Sequence, residues 1–316
     1  MNSRPKFLLP ASLVAAALAC AACGGRPQER QAADTAALVA APAQLLAPEA
    51  PAAGAARRAF TPVVAPGEGL ELADGSIRER DEKQRYEIDL TFPQLKGRPG
   101  ATADKFNRAV RALVAGEVRD FRQSYVEAKG RRAPGAAGGD ETFDSLTGRH
   151  EVIHFADDLA SLRLTLHAYG RGGRVIQHHR VLNIDLKSGR ALKLGDLFTP
   201  EAGHLQALAA HCVADLRRQD EEEYRKAVGD ATGRGLPASS AGIRTPASEF
   251  EIGAAPTAEN YRAWNLSAEG VVVSFAACQV LSCAAGEKEV LVPFHALDAI
   301  LDQSGPAARL FTRQPR

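Results

Sequence analysis

Single-residue alternation of apolar and polar positions marks several short stretches of this chain, and a three-to-four residue recurrence marks two longer ones. From Ser161 to Tyr169, Leu162, Leu164 and Leu166 fall on one side and Arg163, Thr165 and His167 on the other. That period belongs to a half-buried strand, because successive side chains point to opposite faces. Gly170 to Gly173 breaks the run with a tight reversal. A second strand follows with Val181, Ile184 and Leu186 as its apolar content, then a turn at Lys187-Ser188-Gly189 and a short strand over Ala191–Leu194. Upstream, Tyr86, Ile88, Leu90 and Phe92 alternate and Pro93 closes that strand. Phe106, Val110, Leu113, Val114 and Phe121 recur at helical spacing, with Arg108, Arg111, Glu117 and Arg119 on the other side. The pattern predicts an amphipathic helix over 103–125 lying on a sheet, with Thr102 as its N-cap and Asp104 at the positive end of its dipole. A second helix is predicted from Pro200 to about Val228, with Leu205, Leu208, Ala209, Cys212, Val213 and Leu216 as its buried stripe. Strands are then expected to start at Phe250-Glu251-Ile252 and Trp264-Asn265-Leu266. Val271–Phe275, Glu289–Phe294 and a short helix over Leu297–Leu301 complete the pattern. The fold class is α+β, with antiparallel sheets packed by helices in two small lobes.

The ends of the chain differ from this pattern. Arg4 and Lys6, an apolar run from Phe7 to Leu18 and small residues beyond it read as a secretory signal over 1–23. Its end, Leu18-Ala19-Cys20-Ala21-Ala22-Cys23-Gly24-Gly25, has the form of a lipobox, in which a cysteine thiol takes a diacylglycerol. Cys23, with small residues before it and Gly-Gly after it, is the favoured lipidation site; Cys20 is the alternative. Residues 24–74 are dominated by Ala and Pro and show no periodic apolar face, so a disordered tether is expected there. Residues 75–303 are assigned to the folded domain and 304–316 to a flexible tail. The expected location is the cell envelope, lipid-anchored, on an outer membrane facing the periplasm where the host has two membranes. The chain has 39 basic and 38 acidic residues. Setting aside Arg4 and Lys6 leaves the charges balanced to within one, which implies no nucleic-acid partner.

Few residues suggest chemistry. His150-Glu151-Val152-Ile153-His154 matches H-E-x-x-H, which binds zinc when a helix stacks the two imidazoles one turn apart. Gly148 before it and the β-branched Val152-Ile153 within it favour a strand. There the two histidines would share a face but lie roughly 13 Å apart, at about 3.3 Å per residue, too far to grip one ion. No metal site and no catalytic residue is assigned. His178 and His179 fall on opposite faces of their strand and cannot share a site; which of them faces the side of His167 depends on register. Export to an oxidising compartment makes Cys278 and Cys283 the candidate disulfide, and Cys212 a buried free thiol. No G-x-S-x-G, phosphate-loop or dinucleotide fingerprint stands in a strand-turn-helix context, so no cofactor is assigned. Arg171, Arg174 and Arg180 flank the glycine turn and would suit an acidic partner. Tyr169, Arg171, Arg174 and His178 are the candidate partner-binding residues.

Asp157-Asp158-Leu159-x-Ser161-Leu162-Arg163, Tyr169-Gly170-x-Gly172-Gly173, Asp185 to Gly189 and Leu194-x-Asp196-Leu197-Phe198 together resemble a bacterial domain of unknown function. It forms the extracytoplasmic part of RsiV-like, lysozyme-sensing anti-sigma factors and accompanies the catalytic domain of PdaC-like peptidoglycan deacetylases. Gly270 to Phe275, Ala284-Ala285-Gly286 and Val290-x-Val292-Pro293-Phe294-x-x-Leu297 resemble its end. The resemblance covers roughly residues 75–303 and rests on turn and core positions. Where that family often carries a histidine after its glycine pair, this chain has Arg174-Val175. The lipobox implies a membrane contact through the lipid anchor, and the resemblance implies peptidoglycan or lysozyme as partner. A deacetylase is expected to need a further catalytic domain, and an anti-sigma factor a spanning helix. The leading expectation is therefore a non-enzymatic binding or sensing module for a cell-wall-related ligand. A zinc hydrolase using His150, Glu151 and His154, and a periplasmic lysozyme inhibitor, are the alternatives.

Overall fold

The computed structural model describes residues 60–67, 69–97, 100–130, 143–156, 158–170, 175–242 and 244–311. Seven strands form one sheet: β1 (Val63–Val64), β2 (Leu70–Asp81), β3 (Tyr86–Gly97), β4 (Asp144–Ala156), β5 (Leu159–Tyr169), β6 (Val175–Asp185) and β7 (Arg190–Ala191). They lie in the order β2-β3-β4-β5-β6-β7, with β1 added to β4. Most pairings are antiparallel, but β3 with β4 and β1 with β4 are parallel. The parallel β3–β4 pair follows from the connection between them, helix α1 (Ala101–Gly130), since a parallel neighbour needs a long crossover. β8 (Trp264–Leu266), β9 (Gly270–Phe275) and β10 (Lys288–Pro293) make a second, antiparallel sheet. Among the described residues three more helices follow the first: α2 (His204–Gly233), α3 (Ala247–Gly253) and α4 (Ala308–Phe311).

Two cores correspond to the two expected lobes. In the first, Phe106, Val110, Val114 and Val118 of α1 meet Ile88, Leu90, Leu146, Leu162, Leu164 and Leu166 of the large sheet. In the second, Leu208, Cys212 and Leu216 of α2 meet Val271, Val273, Val290 and Val292 of the small sheet. The intervening residue Val272 points the other way and packs with Ile153 and Phe60. The sheets thus face each other, and each carries a long helix on its outer side.

Packed residues lie further out at both ends than the composition implies. Phe60 is buried, Val63 and Val64 pair with His154 and Phe155, and β2 begins at Leu70, all inside the stretch expected to be tether. Ala307 and Leu310 are buried in the second core, inside the expected flexible tail. The signal segment, Cys20 and Cys23, residues 24–59 of the tether and residues 312–316 lie outside the described residues.

Four local expectations change. β3 runs through Pro93 to Gly97. β4 pairs with β3 only as far as Leu90, so Pro93 stands where the strand has lost one neighbour and a missing N–H is tolerated. Phe250-Glu251-Ile252 belongs to α3 rather than a strand. Three alternating residues fit one helical turn equally well: Phe250 is buried, Glu251 meets Arg217 and Ile252 is 75% exposed. The second long helix begins at His204, after Gly203 turns the chain with φ of 65°. In place of the expected closing helix over Leu297–Leu301, a 3-10 turn at Phe294–Ala296 leads into a turn that ends at Leu301, which bridges to Phe198.

Candidate functional site

The H-E-x-x-H segment lies in β4, as a strand. A register shift interrupts its pairing with β5 between Val152 and His154: His150 pairs with Leu164, but His154 pairs with Ser161. Leu164 belongs to the α1-side core, whereas the Ser161 hydroxyl accepts a hydrogen bond from Asn265 Nδ2 of the small sheet at 3.0 Å. The bulge therefore sends the two histidines to opposite faces, not to one face as a regular strand would. His150 lies 3.4 Å from Asp74, and burial lowers its pKa despite that carboxylate. Glu151 is taken by Arg163, 2.7 Å away. Among the described residues, no group of three or more His, Cys, Asp or Glu side chains could hold a metal ion.

The surface between the sheets is polar along one face of β5 and β6. Ser161 donates to Asn183 Oδ1 at 2.7 Å, and Asn183 Nδ2 donates to the Trp264 carbonyl at 2.9 Å. Two residues on, Arg163 reaches Glu151, Glu289 and the Ser274 hydroxyl, the last at 2.8 Å. Further along, His179 lies 2.7 Å from Glu287, and Gln177 Nε2 donates to the same carboxylate at 2.6 Å. The spacing of two residues is the strand period, so the β5–β6 hairpin presents a row of polar side chains to the small sheet. Burial, the largest single influence, would raise the Glu287 carboxyl, but the bond and charge of His179, the charge of Arg163 and the bond from Gln177 together hold the group below its ordinary range.

The opposite face of β6 meets α1. His178 Nε2 lies 3.3 Å from Glu117 Oε2, and Arg180 Nε donates to Glu117 Oε1 at 2.5 Å. Glu117 is only 8% exposed. Burial pushes its carboxyl up, yet the bonds from His178 and Arg180 overcome this and leave it below the usual carboxylate range. The solvent side expected for Glu117 is thus corrected. The signal was in the spacing: Glu117 stands three residues after Val114 and four before Phe121, on the margin of the apolar stripe.

Of the expected partner-binding residues, Tyr169 pairs with Val175 at the end of the hairpin, and His178 pairs with Leu166. Val175 and His178 are an odd number of positions apart, so Tyr169 and His178 lie on opposite faces. His167, paired with Gln177, shares the face of His179 and not that of His178. Arg171 and Arg174 lie outside the described residues. Cys278 and Cys283 are joined by a disulfide, with Cα atoms 4.1 Å apart. Cys212 is buried, and burial pushes its thiol up to about 12. Sequence reasoning missed Glu117, Asn183 and Asn265.

The geometry defines a class: an α+β protein of two facing open sheets, each backed by a long helix, with a polar seam between them. Residues 195–295, which include α2, α3 and all three strands of the small sheet, match the family described as a protein of unknown function, DUF3298. A solved member of the family from Bacteroides fragilis is 18% identical, with 78% of this chain and 99% of that chain covered and a TM-score of 0.49. Another, from Pseudomonas aeruginosa, is 14% identical, with 74% and 94% covered and a TM-score of 0.44. No curated protein matches the chain.

Proposed function

We propose that this protein is a lipid-anchored component of the cell envelope that acts as a non-enzymatic binding or sensing module for a cell-wall-related ligand. The observation that carries this reading is the course of β4. Its bulge parts His150 from His154, and Arg163 occupies Glu151, so the zinc-hydrolase alternative loses the arrangement it needs. What remains available is surface, above all the outer end of the β5–β6 hairpin. The RsiV-like resemblance names peptidoglycan or lysozyme as the ligand, and a lysozyme inhibitor is the narrower form of the same reading. Among the described residues no helix is long and apolar enough to cross a membrane. The anchor proposed, from the lipobox form of residues 18–25, is the acyl group on Cys23, with Cys20 as its alternative.

The test is direct binding of the full chain to purified sacculi and to lysozymes of several types, with zinc measured on the same preparation. Saturable binding without stoichiometric metal is expected. Stoichiometric zinc that disappears in His150→Ala would overturn the reading, as would absence of binding to every wall component tried. For the anchor, labelling with an alkyne fatty acid is expected to fail in Cys23→Ser; failure in Cys20→Ser alone would move the lipid to that residue.

A further inference from the structure

β6 has one satisfied edge and one open edge. It pairs with β5 from Val175 to Asp185, but β7 covers its other side only at Ile184 and Asp185. The polarity of the open edge can be read from one bond, since Leu192 N–H donates to the Asn183 carbonyl at 2.7 Å. Backbone groups along a strand alternate between its two edges. Val181, His179 and Gln177 therefore turn their N–H and C=O groups to the same outer side. Among the described residues no backbone group meets them there. Edges of this length are usually blunted by proline, lysine or a bulge. Between Val175 and Leu182 there is none of these, and Val175 and Ile176 are 56% and 58% exposed.

Unpaired backbone groups in register fix the chemistry of what fits: another extended polypeptide. The side chains on the α1 face narrow it. Arg180 spends its Nε on Glu117, and among the described residues neither of its terminal nitrogens has a partner, so a second carboxylate can be taken by that outer fork. A second copy of this chain is a poor fit. An antiparallel register that kept the α1 faces together would set Arg180 opposite Ile176, His178 or Arg180 of the other copy and offer it no carboxylate.

We propose that the outer edge of β6, from Val175 to Val181, takes up an extended segment of a partner protein as an added antiparallel strand, with an apolar side chain opposite Ile176 and a carboxylate opposite Arg180. This rests on the binding-module reading and gives it a docking site.

The probe is a capped peptide, acetyl-Thr-Glu-Thr-Thr-Thr-Val-Thr-amide, added to the full chain while amide hydrogen exchange is followed residue by residue. The Gln177, His179 and Val181 amides are expected to slow by roughly tenfold at saturating peptide. A peptide with proline at its third and fifth positions, opposite His179 and Gln177, should give no slowing, and one with Lys in place of Glu should bind more weakly. Ile176→Lys, at an exposed side chain that folding does not need, should abolish the effect. Unchanged exchange at these three amides would overturn the proposal. So would protection that appears without peptide and grows with protein concentration, which would assign the edge to a second copy. Binding to sacculi or lysozyme that survives Ile176→Lys would remove the edge as the docking site and leave the proposed function standing.

Discussion

Arg163 crosses from the large sheet to the small one and is only 11% exposed in its side chain. Burial favours the neutral form of such a group, but the carboxylates of Glu289 and Glu151 outweigh it and raise its pKa. Removing one partner from a buried charge cluster strands the rest. Arg163→Met is therefore expected to cost about 3 kcal/mol, read as a shift in the urea midpoint, and changing Glu151 and Glu289 to Gln in the same chain should recover part of it. Glu117 makes a second residue-scale prediction. Its carboxyl is held below the ordinary 4.5 in the folded chain. The unfolded state thus binds the proton more readily, and the stabilisation is present above that value and lost as pH falls below it. Acid titration of stability should show a flatter slope in Glu117→Gln than in the parent chain. An unchanged slope would remove Glu117 from the account of acid sensitivity.

Elements with a long, regular period were legible from the chain alone. β5 and α1 are such cases, because Leu162, Leu164 and Leu166, and Phe106, Val110 and Val114, each repeat one structural period several times. α3 was not, since Phe250-Glu251-Ile252 is too short to separate a strand from a helical turn. The β4 bulge was also invisible, because an inserted residue leaves Val152-Ile153 looking like any strand interior. The seam residues Asn183 and Asn265 were hidden for a different reason. A polar residue on a strand reads as solvent-facing, and only the second sheet makes it buried. α3 itself is held by close approach: a Cβ on Gly253 would lie 1.9 Å from the Gln279 carbonyl oxygen. Gly253→Ala should cost about 1–3 kcal/mol, seen as a lower thermal midpoint, with the Cys278–Cys283 loop displaced from α3.

At the scale of the whole molecule, the folded body starts earlier than composition suggested. Ala- and Pro-rich sequence gives no periodic signal, yet Phe60 reaches the space between the two sheets. A chain shortened to begin at residue 75 would lose Phe60, β1 and the first part of β2. It should be less stable than one beginning just before Phe60. The lost ring alone contributes about 3 kcal/mol, measurable by urea titration of the two proteins. Equal midpoints would show that the body closes without those residues.

The placement of Phe60 also bears on how the protein would carry mechanical load. A pull transmitted from the proposed upstream anchor would arrive first at an aromatic plug and at β1, which lies parallel to β4 through two residues and a bond from Ala65 N–H to the Phe155 carbonyl at 2.7 Å. So short a latch would slip before the long ladders of β2 and β3 felt tension. Its release would bare Ile153 and Val272 while both main cores stayed closed.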